Sequence, residues 1–233
     1  MQPNTTLFFL CDVQTKFKPA IYAYEHVVAT SNKMVRLAQL LHIPVICTTQ
    51  NSKALGPTDP DIDLASLDLN LLLGPFDKTL FSMLVPDVRA ILDARPDVAS
   101  IVIFGIESHV CVLQTVLSIL ALEKKYAVYV VADGVSSCNS FEIPIALDRM
   151  RTHGAVISTS ESIAFELMRD AGSSNFKAFS KFIKEVKEST KTSGEALLQG
   201  RFAPSVSPPA LPASQVEPEI ASGGVVIGLK SSM

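Results

Sequence analysis

The chain has 233 residues, 48% of them hydrophobic and 18% charged, with a formal net charge of −3. That length and apolar fraction suffice for one α/β domain with a full core and are too small for two large ones. The mildly acidic balance without a Lys/Arg run argues against a nucleic-acid surface, and no apolar run is long enough to span a bilayer.

Residues 5–10 read as a buried strand ending at Cys11-Asp12. Val27, Val28, Met34, Val35, Leu37, Ala38 and Leu41 recur at helical spacing, which predicts a helix over 24–41, broken by Ile43-Pro44. A short strand follows over 45–48. Residues 50–73 carry Gly56, Pro57, Pro60 and several Asp, and are read as mostly loop. A helix is predicted over 81–92, ended by Arg95-Pro96-Asp97. Next come a strand over 101–104, a helix over 109–123, a strand over 127–132 ending at Asp133-Gly134 and a helix over 141–152. A strand over 155–158 and a helix from Ser160-Glu161 to Asp170 complete the alternation.

Strands alternating with helices, each strand almost continuously apolar, point to an α/β fold. The expectation is a three-layer α/β/α domain with a mainly parallel sheet of five or six strands. A last helix over 176–187 places Phe176, Phe179, Phe182, Ile183 and Val186 on one side. Beyond it Ser, Pro, Gly and Ala dominate. The domain is therefore set at 1–188 and a flexible tail at 189–233.

The four cysteines, Cys11, Cys47, Cys111 and Cys138, form no C-x-x-C pair and no zinc signature. A reducing compartment suits them. With no secretory, transit or peroxisomal signal in view, the cytoplasm is the expected location. Cys111 stands out. It follows the 101–104 strand through one turn and lies in the first turn of a helix, where free N–H groups and the helix dipole stabilise a thiolate. Ligands of open α/β sheets sit outside the carboxyl ends of the strands. Asp12 closes the first strand and Lys78 is read as lying just before a helix, so acid, cation and thiol are expected to meet there. Each has a plainer reading alone: a core thiol, a turn cap and a surface lysine. His109 is expected to face away or line the rim. Cys11 is expected on the opposite face from Asp12, because strand side chains alternate.

In order and motif the chain resembles the isochorismatase-like cysteine hydrolases, which include nicotinamidases and carbamoylsarcosine hydrolases. The Asp segment reads Leu10-Cys11-Asp12-Val13-Gln14-Thr15-Lys16-Phe17, the Lys segment Asp77-Lys78-Thr79-Leu80-Phe81-Ser82, and the Cys segment Gly105-Ile106-Glu107-Ser108-His109-Val110-Cys111-Val112. The likeness spans roughly 5–170 and is greatest with the animal and fungal isochorismatase domain-containing proteins, whose Leu-Gly-Pro-Thr loop reads here as Leu55-Gly56-Pro57-Thr58. The resemblance implies a catalytic triad of Asp12, Lys78 and Cys111 and a cis peptide at Ile106–Glu107. It also implies an oxyanion hole from the N–H groups of Glu107 and Cys111, and a homo-oligomer. Gln14, Phe17, Gln50 and Phe81, near these motifs, are candidates for the pocket wall.

Metal-binding nicotinamidases carry an Asp and His cluster after the second strand, where this chain reads Thr48-Thr49-Gln50-Asn51-Ser52. No catalytic metal and no cofactor are expected. The implied function is hydrolysis of an amide, imide or ureide-like C–N bond of a small molecule through a cysteine thioester. One alternative is acid-catalysed cleavage of an ether or ester, with Cys111 dispensable. The other is a binding protein that keeps the fold without catalysis.

Overall fold

In the computed structural model, which describes residues 1–198, six parallel strands form one sheet. They are β1 (Thr6–Cys11), β2 (Val45–Gln50), β3 (Leu72–Lys78), β4 (Ser100–Ile106), β5 (Ala127–Ser136) and β6 (Val156–Ser158), in the order β3-β2-β1-β4-β5-β6. The chain builds outward from β1 to β3, then returns to place β4 on the other side of β1. The order therefore reverses between β1 and β4, and in open α/β sheets the ligand crevice lies outside the carboxyl ends of the strands at such a switch point.

Both faces of the sheet are covered, as the unbroken apolar runs require. Phe8, Leu10, Val102 and Phe104 point to one side. They pack beneath α1 (Tyr24–Leu41), α6 (Ser160–Met168), α7 (Phe176–Glu185) and α8 (Lys187–Leu198), which contribute Met34, Leu37, Ile163, Leu167, Phe179 and Leu197. Leu7, Phe9, Ile101 and Ile103 point to the other side. There they meet α3 (Pro86–Asp93), α4 (Leu113–Leu120) and α5 (Glu142–Thr152) through Val88, Leu92, Val116, Ile119, Leu147 and Met150. Each such side chain contributes roughly 1.5–3 kcal/mol on burial. The expected three-layer α/β/α architecture is what the sheet and its helices form. One short helix, α2 (Ser52–Leu55), lies between β2 and β3.

Several boundaries differ from the sequence expectation. The segment read as loop over 50–73 ends in β3, whose Gly74, Pro75 and Asp77 suit a sheet edge and hide its strand character. The helix expected over 81–92 begins only at Pro86, because Val85 before it is extended (φ −74°, ψ 164°). Lys78 is therefore the last residue of a strand, not the residue before a helix. The helix expected from residue 109 opens as a wide π-type turn, Ser108–Val112, before α4. β5 runs on past Asp133-Gly134 to Ser136. Buried Asp133 instead caps α6, accepting from Ser160 N at 2.6 Å and Ser160 Oγ at 2.5 Å.

The tail boundary also moves. Residues 187–198 form α8, which packs on α1 and β5, and Leu197 is fully buried. The first part of the expected tail is thus helix. The rest of it, 199–233, lies outside the described residues.

Candidate active site

β1 delivers Asp12 to the crevice. The residue adopts a left-handed conformation (φ 50°), so the chain leaves the strand with a twist instead of another extended step. Strand alternation ends there, which corrects the expectation for Cys11. Its thiol does not face away from Asp12 but donates to Asp12 Oδ2 at 3.6 Å. Asp12 Oδ1 accepts from Thr48 Oγ1 at 2.7 Å, across the β1–β2 pairing that sets Cys11 opposite Thr48.

Lys78 arrives from the carboxyl end of β3. Its Nζ donates to Asp12 Oδ2 at 2.6 Å, with the two side chains 0% and 1% exposed. The same ammonium reaches Gln50 Oε1 at 2.7 Å, Phe81 O at 3.0 Å and Leu80 O at 3.1 Å. A buried ammonium beside a carboxylate, with its remaining protons on oxygen, is the arrangement in which such a pair persists without water.

Cys111 is held in the turn after β4 and is buried, 6% exposed. Its carbonyl accepts from Thr115 Oγ1 at 2.6 Å, and the same Thr115 hydroxyl oxygen accepts from Met83 N at 2.9 Å. Cys11 joins the two halves of the site. Its thiol neighbours the Cys111 side chain and lies within the fields of Asp12, Cys111 and Lys78. Burial first, then the neighbouring Cys111 side chain and the negative charge of Asp12, push the Cys11 thiol well above the ordinary range, so it stays protonated. Asp12, Lys78 and Cys111 thus gather around a fourth group, Cys11, that sequence reasoning placed elsewhere. Only a backbone signal, the left-handed Asp12, could have revealed it.

Gly105 explains how β1 and β4 come so close here. Its φ is +117°, and a Cβ there would stand 2.2 Å from the Cys11 carbonyl oxygen. Only glycine satisfies both conditions. The Ile106–Glu107 peptide that follows is cis.

The weaker pocket candidates divide. Gln50 is in place, bridging Lys78 and Thr79 O (2.8 Å from its Nε2). Phe81 touches the site through its carbonyl, while the residue is 49% exposed. Gln14 is fully buried, and its amide is committed to backbone: Nε2 to Gly56 O (2.6 Å) and Gln50 O (3.1 Å), Oε1 from Gln50 N (2.7 Å). It braces the 55–58 loop and is not a wall residue. Tyr24 adds to that brace, donating to Gln14 O and Asp59 Oδ2 at 2.9 Å each. Phe17 is half-buried against the core cluster that holds Phe8 and Leu10, on the sheet face opposite the one that holds Cys111. His109 is half-buried at the rim with Nδ1 at 2.9 Å from Ser137 Oγ. The Glu107 carboxylate accepts from Cys138 N at 2.7 Å.

The family model described as "Isochorismatase domain" matches residues 6–162. A "Secreted isochorismatase effector Isc1" of Phytophthora sojae is 43% identical over 188 residues, covering 78% of this chain and 86% of that one. The "Isochorismatase domain-containing protein 2" of Bos taurus is 38% identical over 183 residues, covering 78% and 85%. Among solved structures, one described as MAR1 ribonuclease from Caenorhabditis elegans superposes with a TM-score of 0.72 at 35% identity, covering 79% of this chain and 92% of that one. A Staphylococcus aureus nicotinamidase at 16% identity and TM-score 0.60 shares the fold.

Proposed function

The chain belongs to the isochorismatase domain family, a hydrolase fold, and on that premise we propose that it hydrolyses a C–N bond of a small neutral amide, imide or ureide through a thioester on Cys111. The observation that carries this reading is the buried Asp12–Lys78 pair, 2.6 Å apart, touched by the thiol of Cys11, which in turn neighbours Cys111. A carboxylate and an ammonium are costly to bury together, and a pocket edge is where such a cost is offset by chemistry.

In the proposed course Cys111 sulfur attacks the carbonyl carbon, and its proton passes by way of Asp12 to the departing nitrogen. The C–N bond breaks, the amine leaves and a thioester remains. Asp12 then takes a proton from water, whose oxygen attacks the thioester. The acid departs and the thiol returns. Lys78 holds negative charge on Asp12 and on the sulfur. The backbone N–H groups of Glu107 and Cys111 receive the carbonyl oxygen as its charge develops.

The phosphodiester reading that the name of the C. elegans structure raises has less support. Lys78, the cation of the proposed triad, is already engaged by four oxygens. We also place the protein in the cytosol as a homo-oligomer. Four free thiols support a reducing compartment, and Phe141 and Ile145, each 61% exposed beside and on α5, support self-association. Among the described residues no helix is long and apolar enough to cross a membrane.

The test is a turnover screen of small amides and ureides with intact-mass detection. Wild type should turn over at least one and show an acyl adduct mapped to Cys111 after an acid quench, Asp12→Asn should lose both turnover and adduct, and Cys111→Ser should lose turnover. Full turnover by Cys111→Ser would move the assignment to acid-catalysed ether or ester cleavage. Electrophile labelling separates enzyme from binder. Cys111 should react faster than Cys47, whose thiol burial pushes up to about 12, and Lys78→Ala should slow it. Equal labelling of the two would favour a binding role.

A further inference from the structure

We propose that Glu107, His109 and Cys138 form a zinc site at the rim of the crevice. One carboxylate oxygen, one imidazole nitrogen and the Cys138 sulfur lie within 4.8 Å of one another. They come from distant positions, and the sheet brings them together. β4 and β5 pair in parallel with Ile106 opposite Ser136, so the residues just beyond each strand emerge side by side. Glu107 and His109 leave β4, and Cys138 leaves β5.

The donor set matches a borderline cation. Thiolate, imidazole and carboxylate together are ligands of zinc, whereas magnesium and calcium favour oxygen alone. Tetrahedral zinc with such ligands separates its donors by roughly 3.5 Å, given bonds of about 2.0–2.3 Å. Closing from 4.8 Å needs about 1 Å of side-chain rotation at residues that are partly exposed.

The surroundings supply the outer contacts that ligands need. Ser137 Oγ pairs with His109 Nδ1 at 2.9 Å and fixes the ring. Ser108 Oγ in turn holds Ser137 Oγ at 2.5 Å. The Cys138 N–H donates to Glu107 Oε2 at 2.7 Å and orients that carboxylate. Metal-ligating histidines and carboxylates are held by outer partners of this kind. Three protein ligands leave a fourth position for water or for an oxygen of a molecule in the crevice. The Glu107 carboxylate would ligate here while its backbone N–H serves the proposed oxyanion hole, so the zinc site adjoins the proposed thioester chemistry without supplying any of its groups.

Metal-free full-length protein would be dialysed against Zn²⁺ and analysed for bound metal, with Co²⁺ as an optical probe of thiolate ligation. One equivalent of zinc is expected, together with a cobalt–thiolate charge-transfer band. Loss of an outer partner costs zinc sites about 10–100-fold in affinity, so Cys138→Ser should weaken zinc binding by more than that and abolish the band. His109→Ala should weaken zinc binding while the band shifts but survives. Cys138 is exposed, so its serine variant should fold, with circular dichroism as the check. Less than stoichiometric zinc would overturn the proposal, as would a band that survives Cys138→Ser but vanishes in Cys111→Ser.

Discussion

Replacing Lys78 with methionine removes the cation from a carboxylate that is 1% exposed and leaves the methylene stem to fill the same space. Removing one partner of a buried pair costs about 3–5 kcal/mol, because the remaining charge stays dry. Asp12 would keep only the bonds from Thr48 Oγ1 and Cys11 Sγ. Gln50 Oε1 and the Leu80 and Phe81 carbonyls also lose a donor. Gln50 is half-buried and Leu80 and Phe81 are exposed to solvent, so the ion pair sets the magnitude. With a urea slope of about 2 kcal/mol/M, the unfolding midpoint should fall by roughly 1.5–2.5 M. Circular dichroism is the readout, since the chain has no tryptophan. The double variant Asp12→Asn/Lys78→Met removes both charges and should be more stable than Lys78→Met alone. A loss below about 1 kcal/mol, the range of surface pairs, would refute the buried-pair argument. A double variant weaker than the single would refute it too.

Gly105→Ala meets both a φ of +117° and a backbone oxygen 2.2 Å from the new Cβ, so a loss of about 3 kcal/mol or more is expected on urea unfolding. A near-neutral effect would contradict the close approach of β1 and β4. Leu197→Ala, at a fully buried position of α8, should cost about 2–5 kcal/mol; no change in midpoint would mean that this helix does not dock. Asp77 is held below its ordinary 3.8 by the Ser52 N–H at 2.8 Å and by Thr49 Oγ1 at 2.9 Å. A carboxyl lowered on folding stabilises above its unfolded value, and that contribution is lost as pH falls through the folded one. Asp77→Asn should therefore be slightly less stable than wild type at neutral pH, with the gap closing in acid; a gap that widens in acid would be the wrong sign.

The fold was legible where pattern and packing agree. α1 has the expected bounds because its apolar stripe covers one sheet face without interruption. β3 was hidden because an edge strand needs little apolar content, and Gly74-Pro75 imitates a loop. Pro86 was a readable signal for the late start of α3, outweighed by the apolar spacing from Phe81 onward. Asp12, Lys78 and Cys111 were legible as a motif. Their arrangement was not, since it depends on one left-handed residue that ends strand alternation and turns Cys11 into the site. Gln14 and Phe17 show the limit of inference from proximity along the chain. One braces a loop and the other packs against the core on the far face of the sheet.

The ammonium of Lys78 brings three protons to four oxygens. An arriving carboxylate finds no spare N–H on it, and would have to evict a resident acceptor against the negative field of Asp12. An uncharged carbonyl compound asks nothing of that lysine. Under the proposed chemistry, discrimination against anions would begin with a saturated cation, ahead of any selection by the shape of the loops.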